Sequence, residues 1–428
     1  MGQIPKLNIK GGEGDVQALN RWADAVTTEF AAQKTQIKAT AQKTTVVTEA
    51  VAALPPTTDG LIHGDAIWEI DPAYFCQREE FTGGGTGAGT IGELGWTPAQ
   101  TLGGTPAYSD GLSAIYGSEY SWSNNTTASS TGLIALFNDA SLTGARNGTF
   151  PLLGQPSWKM IFIWRFHPAS ESNGTPVSFL KKSVYIGLAG SSQALIDHAM
   201  SRPALFIGAR FDTDTTSPAI SDSTIHLEAV ANVFSATNAR NNTQGTVVDT
   251  GVTPAPDVYY RLEITCVAAG VFTMSLNGST PSTFSIPSIT YTAGAGSSVA
   301  HTAGNSTEIV TMATTTPGPV EFGAGEVVTL AGFTGGLAAL NGVQSIVSNR
   351  TSFNSFFVIS NTANVSGSQT GFTATGWPSV FPMFEFGNDS EASPAANTSI
   401  YCNYFAMVWN PGVGGGTGTP NKTKARYW

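Results

Sequence analysis

One stretch of this chain, residues 16–54, keeps a single heptad register, and a long remainder without helical periodicity follows it. Nine of its twelve a and d positions are apolar. A helix with so long and narrow an apolar stripe cannot bury the stripe alone, so the pattern favours a coiled coil with partner helices. The residues predicted to form the oligomer interface are Val16, Leu19, Ala23, Val26, Phe30, Gln33, Ile37, Thr40, Thr44, Val47, Val51 and Leu54.

Loop-like sequence lies on both sides of this repeat. Asp15 ends a Gly-rich stretch and is a suitable N-cap, and Pro55 ends the helix. Polar residues in the middle core layers would fix the register and the oligomeric state at a cost in stability. Because β-branched residues fill several a and d layers, a leucine-zipper-like dimer is disfavoured and we expect a parallel homotrimer. The alternative, one amphipathic helix lying on the body of its own chain, stays open.

The composition of the remainder predicts a mainly β protein. Charged residues make up only 12% of the chain, against a typical value of ~25%. Glycine and proline are abundant, while 41% hydrophobic residues, including 23 phenylalanines, are enough to build a core. Turn-rich and aromatic-rich sequence of this kind is typical of β-sandwiches and barrels.

Charge and hydropathy argue against two classes of partner. The net charge is −10 and no cationic run is longer than Lys181-Lys182, so nucleic-acid binding is not expected. No stretch reaches 18 consecutive apolar residues, and the N-terminal segment lacks the apolar region of a signal peptide. We therefore expect a soluble protein, made in a cytoplasm, with no membrane partner.

The three cysteines give no sign of a metal site, and we expect no cofactor. Cys76, Cys266 and Cys402 are odd in number, have no metal-ligand spacing and lie in apolar or aromatic runs. We expect them to be buried free thiols.

Strand patterns begin at Trp68. The runs 258–266 and 271–276 predict a hairpin around Gly270. Other predicted strands are 158–167, 205–211, 225–230 and 399–409.

Residues 286–376 differ in character, because they lose Trp and Tyr almost entirely and become rich in Thr, Gly and Val. We interpret them as a small β-domain inserted into a larger one, both of whose ends return to adjacent strands of one sandwich. The predicted organisation is a docking arm (1–15), a trimerisation helix (16–54), a linker (55–73), a sandwich (74–285 and 377–411), the inserted domain (286–376) and a C-terminal tail (412–428).

Several stretches resemble the concanavalin-A-like (laminin-G-like) jelly-roll domains of bacteriophage virion proteins. Phe81 with Gly92-Glu-Leu-Gly-Trp96 resembles the opening of that fold, and 206–214, 259–264, 272–278 and 404–408 resemble its middle and end. Inside the insert, 325–330, 340–343 and 357–359 are similar to a small β-barrel module of phage tail-fibre proteins. The resemblance implies a mainly β fold: an N-terminal coiled coil and a jelly-roll sandwich with an inserted small β-barrel.

The same resemblance implies a virion protein. The first hypothesis is a trimeric fibre or receptor-binding protein, whose N-terminal arm docks on other virion proteins and whose lectin-like body contacts host surface glycan. The second is a capsid decoration or head-fibre protein with a purely structural sandwich. A polysaccharide-degrading tailspike is the third, and it would need paired carboxylates and long β-helical repeats.

Catalysis is not expected. Enzymes of this fold that cleave β-glucans carry a Glu-x-Asp-x-(x)-Glu strand, because retaining hydrolysis needs two carboxylates ~5 Å apart. Here Glu69-Ile-Asp71 is followed by Pro72-Ala-Tyr74, so the second carboxylate is missing. No nucleophile elbow, metal-spaced histidine pair or phosphate loop followed by lysine is present. Glu228 and Glu263 alternate with apolar residues and are predicted to point outward into solvent.

Two binding sites are candidates. Tyr120, Trp122, Asn124 and Asn125 combine aromatic rings with amides in a loop-like segment, as glycan contacts do, although core burial of the rings is the alternative. Asp212 and Asp214 are candidate Ca²⁺ ligands, with a solvated turn as the alternative. The segment 387–391 (Gly-Asn-Asp-Ser-Glu) is a similar, weaker candidate.

Overall fold

The structure is a computed structural model. It describes residues 75–79, 81, 92, 94–101, 109–113, 117–123, 131–136, 153–154, 158–166, 179, 181–190, 205–213, 220–231, 245–256, 258–301, 307–313, 315, 322, 326–349, 355–359, 365–378, 380–388 and 399–409. For 75–78, 97–101, 109–113, 117–123, 131, 307, 345–349, 355–359 and 409 it describes the backbone alone. The chain divides into two compact units, Met1–Gly64 and Asp65–Trp428. The predicted trimerisation helix and its twelve interface residues lie outside the described residues.

Antiparallel strands make up most of the described part of the second unit, which confirms the mainly β prediction. The first thirteen are β1 Phe75–Glu79, β2 Thr97–Thr101, β3 Ser109–Ser113, β4 Gly117–Ser123, β5 Thr131–Ala135, β6 Trp158–Phe166, β7 Lys182–Gly190, β8 Leu205–Asp212, β9 Ile225–Ala231, β10 Thr246–Val252, β11 Tyr259–Ala268, β12 Val271–Leu276 and β13 Ser282–Ser285. They are followed by β14 Ile289–Thr292, β15 Ser298–His301, β16 Thr307–Thr311, β17 Val327–Ala331, a 3-10 helix at Gly335–Leu340, β18 Gly342–Asn349, β19 Ser355–Ile359, β20 Gly367–Ser368, β21 Thr373–Gly376, β22 Val380–Asn388 and β23 Ser399–Trp409.

Two sheets face each other as a sandwich. The first has the order β13-β12-β11-β6-β23-β4-β3, with β1 also paired to β23, and the second has the order β10-β9-β8-β7-β22-β5-β2. Side chains alternate along each strand, so one face of each sheet contributes to a shared core. Aromatic rings cross this core, with Phe162 against Phe384 at 5.4 Å and Trp96 against Phe405 at 5.1 Å between ring centroids.

The third sheet closes on itself into a small barrel. Its order is β14-β21-β17-β18-β19-β16-β15-β20. Along the chain β14 continues into β15 and β20 continues into β21, so the strands at one end of this order are connected to the strands at the other end. Ala293 N donates to Phe372 O at 2.9 Å and Gly371 N donates to Ala293 O at 2.8 Å, so the pairing continues between the two ends. Inward residues such as Tyr291 and Val328 are fully buried.

Several local expectations are met and two are wrong. The hairpin predicted around Gly270 is present as β11 and β12. The segment around Tyr120, predicted to be loop-like, is strand β4, paired with β3 and β23. The barrel segment does not return to an adjacent strand: it leaves the edge strand β13 of the first sheet and re-enters at β22, inside the second sheet.

No helix in the described part of the chain combines the length and apolarity needed to span a membrane.

Candidate functional site

The outer face of the second sheet carries polar side chains in register. Along β8, Ile207, Ala209 and Phe211 face the shared core, so Arg210 and Asp212 lie on the opposite face. Cross-strand pairing then sets residues side by side in a row that runs across five strands. In order from β22 to β10, the row is Glu385, Tyr185, Arg210, His226 and Asp249.

Arg210 is the centre of a buried ion network. Its Nε and Nη2 donate to the two carboxylate oxygens of Asp222, each at 2.9 Å. Its Nη1 lies 3.1 Å from Oε1 of Glu228, and the two side chains are only 3% and 0% exposed. Burial disfavours the charge of the guanidinium, but the hydrogen bonds to Asp222 and the nearby Glu228 outweigh it and raise the pKa of Arg210. The arginine is therefore charged at every physiological pH.

Glu228 corrects one expectation. It does point away from the shared core, as its alternation with Leu227 predicted, but it is fully buried rather than solvated. The reason is tertiary, since Arg210 on the neighbouring strand supplies a counter-charge that offsets the cost of burial. Glu263 does lie at a half-exposed surface position, where Lys159 and Arg261 both pair with it.

The segment 220–224 positions Asp222 beneath this arginine. Asp222 N donates to Asp212 O at 2.8 Å, and Asp212 N donates back to Asp222 Oδ2 at 3.0 Å. His226 Nδ1 lies 2.9 Å from Thr224 O and 3.3 Å from Asp222 Oδ1. Because a carbonyl can only accept, Nδ1 carries a hydrogen and Nε2 is the acceptor of the neutral ring.

Asp212 is held within the protein rather than presented to solvent. Its side chain is buried, and Tyr185 Oη donates to its Oδ2 at 2.6 Å. Asp214 lies outside the described residues. Among the residues that the structure describes, no group of three or more His, Cys, Asp or Glu side chains is placed to hold a metal ion. The Ca²⁺ site stays a prediction that the position of Asp212 does not favour.

Aromatic rings fill the middle of this outer face. Gly187 and Gly208 are paired across β7 and β8, and a Cβ on Gly208 would lie 2.9 Å from Cζ of Phe206. The missing side chain thus leaves room for the Phe206 ring, which meets Tyr185 edge-on at 5.2 Å. With Met383 these residues belong to a second buried apolar cluster. Among the described residues the centre of the face is therefore closed, and its border is the part that is open to a ligand.

That border is formed by β9, β10 and the segment before them. We call Ser221, Ser223, Thr224, His226 and Asp249 the β9–β10 rim. Ser221, Ser223 and Asp249 are exposed, and Thr224 Oγ1 donates to Asp249 Oδ1 at 2.6 Å. This hydrogen bond and one from Gly251 N lower the pKa of Asp249, so the rim carries a carboxylate in neutral solution. The rim offers hydroxyl, imidazole and carboxylate groups on a rigid support.

The two aromatic residues of the sequence-predicted glycan cluster are in the other sheet. Tyr120 and Trp122 lie on β4 of the first sheet, where their backbones pair with Cys402 and Ile400. Asn124 and Asn125 lie outside the described residues. Tyr120 and Trp122 therefore lie on a different sheet from Asp212. Sequence reasoning also missed the rim and Asp222, and the signal that could have indicated them was Arg210, a charge between apolar residues of strand β8.

A second buried acid lies where the barrel meets the sandwich. Glu326, just before β17, is 1% exposed and accepts hydrogen bonds from Val327 N at 3.1 Å and from the backbone of Gly154. Burial outweighs these two bonds and raises the pKa of Glu326 to about 7. Burial and the nearby Glu326 also raise the pKa of the Cys266 thiol to about 12.

Two of the three cysteines are thus accounted for. Cys266 and Cys402 are free and buried, as predicted. For Cys76 the structure describes the backbone alone.

Comparisons with known proteins give distant structural similarity and nothing more. No family model matches the chain, and no curated protein matches it. The chain is similar to a protein of unknown function from Shewanella oneidensis MR-1 (TM-score 0.35, 8% identity, 81% of this chain and 90% of that chain). It is also similar to the carbohydrate recognition domain of Emp47p (TM-score 0.31, 9% identity, 78% and 94%) and to a carbohydrate esterase from Shiga toxin-encoding bacteriophage phi24B (TM-score 0.28, 8% identity, 74% and 93%). Similarity at this level does not establish a function for this chain.

Proposed function

We propose that this protein is a structural component of a bacteriophage particle, a trimeric fibre or receptor-binding protein. Its sandwich, a jelly roll of the concanavalin-A-like type, is the part that contacts glycan on the host cell surface. The β9–β10 rim is the observation that carries this proposal, because exposed hydrogen-bonding groups stand there on a buried ion network. Groups fixed in this way lose little freedom when they bind sugar hydroxyls.

The fibre part of the proposal is supported by the order of elements along the chain. A heptad repeat at 16–54 precedes the sandwich, and a small barrel interrupts the sandwich. In this arrangement the repeat trimerises the chain, the arm at 1–15 docks on other virion proteins, and the sandwich faces outward. The closed centre of the second sheet favours one alternative, a capsid decoration protein in which the sandwich is purely structural. Immunogold labelling of particles distinguishes tail fibres from head decoration.

Binding to host glycan tests the proposed role of the rim. We expect Asp249→Ala to weaken the binding of the purified protein to host lipopolysaccharide or capsular glycan by about tenfold, the effect of losing one charge-assisted hydrogen bond. His226→Ala should weaken the binding by about threefold, because it removes a neutral hydrogen bond. Thr283→Ala, at an exposed position on β13 of the first sheet, serves as the control and should bind like the wild type. Equal binding by all four proteins would exclude the rim as the glycan site.

We also propose that the protein does not catalyse. Three of the buried carboxylates are committed to structure, since Asp222 and Glu228 pair with Arg210 and Asp212 accepts from Tyr185. A carboxylate held in such contacts is poorly placed to transfer a proton to a ligand. Incubation with host glycan should release no new reducing ends. Sustained release that disappears in Glu228→Gln or Asp212→Asn would overturn this part of the proposal.

A further inference from the structure

The barrel is connected to the sandwich at two points, one after β13 and one after β21. In the first connection, Ile286 N donates to Gly270 O at 2.8 Å, and Gly270 N in turn donates to Leu153 O at 2.7 Å. In the second, Trp377 Nε1 donates to Ile286 O at 3.2 Å. Both connections are therefore tied to the β11–β12 turn at one place. We call this place the joint, and its residues are Leu153, Gly154, Gly270, Ile286, Glu326 and Trp377.

Two glycines allow the close contact at the joint. A Cβ on Gly154 would lie 2.3 Å from Oε1 of Glu326 and 2.8 Å from Cε3 of Trp377. A Cβ on Gly270 would lie 2.4 Å from Ile286 O, and its φ of +67° is a conformation that other residues rarely adopt. The barrel therefore touches the backbone of the sandwich here, and a side chain at either glycine would separate them.

Glu326 links the two parts across the joint. Its carboxylate accepts from Val327 N in the barrel at 3.1 Å and from the backbone N–H of Gly154, in the loop before β6. The residue is 1% exposed, and among the residues that the structure describes no cation pairs with it. Glu228, by contrast, has Arg210 as a counter-charge. A buried carboxylate without a counter-charge is costly, so Glu326 is most stable in the joint as the neutral acid.

The surroundings of Glu326 contain one other titratable group among the described residues. This group is the Cys266 thiol on β11, and it stays neutral because burial and Glu326 raise its pKa to about 12. Lys159, Arg261 and Glu263 pair with one another on the opposite, outer face of the first sheet. The barrel strands β14, β17 and β21 contain no Asp, Glu, Lys, Arg or His. Between pH 4 and 8, the charge that changes in the described part of the joint is that of Glu326.

We propose that Glu326 is a proton-controlled latch, which holds the barrel on the sandwich as the neutral acid and opens the joint when it ionises. The proton and the carboxylate both go to water, so the open joint binds fewer protons than the closed one. Burial in the closed joint raises the pKa of Glu326 from 4.5 to about 7. The ratio of open to closed joints therefore increases as pH rises through this interval, by up to about 300-fold.

The reactivity of Cys266 in the full-length protein measures this opening. Its thiol is 1% exposed beside the joint, so it reacts with 4,4′-dithiodipyridine when the joint opens. Cys402 is equally buried but pairs with Trp164, six residues along β6 from Trp158, the partner of Cys266. Cys402 therefore reports unfolding of the whole sandwich. Peptide mass spectrometry follows each thiol, and division by the rate in the unfolded protein removes the effect of pH on the thiol itself.

We expect the corrected rate of Cys266 to rise by up to about 300-fold from pH 4.5 to 8 and to exceed that of Cys402 at pH 8. Glu326→Gln should abolish the rise, because the amide does not ionise. Glu263→Gln, on the outer face of the strand that carries Cys266, should retain it. Equal rates for the two thiols at pH 8 would overturn the proposal, and so would a rise that persists in Glu326→Gln.

Gly154→Ala tests the geometry of the latch independently of pH. The new Cβ would displace the Glu326 carboxylate, so Cys266 should already react several-fold faster than in the wild type at pH 5. Gly336→Ala is the matched control, because a Cβ there would meet nothing within 4 Å, and it should behave like the wild type. Thermal unfolding establishes that both variants are folded. Wild-type protection of Cys266 in folded Gly154→Ala would overturn the proposal.

Discussion

Arg210 is the residue on which the buried network of the second sheet depends. Its guanidinium pairs with Asp222 and Glu228 at positions that exclude water. We expect Arg210→Met to lower the free energy of unfolding by about 3–5 kcal/mol, because two carboxylates would remain buried without their counter-charge. Urea unfolding followed by tryptophan fluorescence measures this difference.

Lys159 provides the matched comparison at the residue scale. It pairs with Glu263 on the outer face of the first sheet, where the two side chains are 20% and 23% exposed. Solvent screens such a pair, so Lys159→Met should lower the free energy of unfolding by no more than about 1 kcal/mol. If Arg210→Met and Lys159→Met lower the free energy of unfolding equally, burial is not what makes the Arg210 network stabilising.

At the element scale, Glu326 makes the joint between barrel and sandwich sensitive to pH. Its ordinary pKa of 4.5 is raised to about 7 by burial, so between these values the folded protein binds more protons than the unfolded chain. The free energy of unfolding therefore falls as pH rises from 4.5 to about 7, in total by on the order of 3 kcal/mol. Stability is greatest below that window, as far as this group is concerned.

Unfolding free energies measured from pH 4 to 8 check this expectation. Glu326→Gln should flatten the fall, because the amide does not ionise. Glu263→Gln removes a half-exposed carboxylate from the sandwich and should keep the wild-type slope. An unchanged slope in Glu326→Gln would mean that another group is responsible.

The barrel is an element that we expect to be separable. Its strands close on themselves, so replacing 286–377 by a short Gly/Ser linker between Ser285 and Pro378 should leave a folded sandwich. The linker has to run from the edge of the first sheet to β22 in the second sheet. Replacing the barrel also removes the hydrogen bond from Trp377 Nε1 to Ile286 O, so some loss of stability is expected. Loss of the cooperative thermal transition would mean that sandwich and barrel fold as one domain.

At the scale of the whole molecule, the heptad repeat predicts a trimer. Light scattering of the full chain should give three times the chain mass of 44.5 kDa. Ile37→Asp places a charge at an a position and should lower the mass on dilution, whereas Thr35→Asp, at an f position, should not. A trimer that survives Ile37→Asp would contradict a core at 16–54.

Local structure was largely predictable from the sequence. Strand β6 and the β11–β12 hairpin follow from alternating apolar residues bounded by turn signals, which depend only on near neighbours. Strand β4 was missed, because Tyr120 and Trp122 are its only apolar residues and the rest of its sequence is polar or glycine. Its strand pairing with β23 supplies what its own sequence does not.

The candidate site was mostly beyond the reach of sequence. Arg210 and Asp222 are twelve residues apart, and the row from Glu385 to Asp249 joins strands that are distant in the chain. Which carboxylate meets which cation depends on strand order and register, and neither is encoded in local periodicity. The alternation around Glu228 gave its direction correctly but could not supply the partner that allows it to be buried.

By itself, then, the sequence determined the mainly β character of this protein, several of its strands and the change in composition at the barrel. These properties rest on residue periodicity and turn chemistry, which act over a few residues. Only the tertiary structure decided that the second sheet has a polar rim, that Glu326 is buried at the joint, and that threonines from β14, β17 and β21 lie side by side on the outside of the barrel. Each of these depends on side chains brought together from distant strands, where burial and pairing outweigh the preference of any single residue.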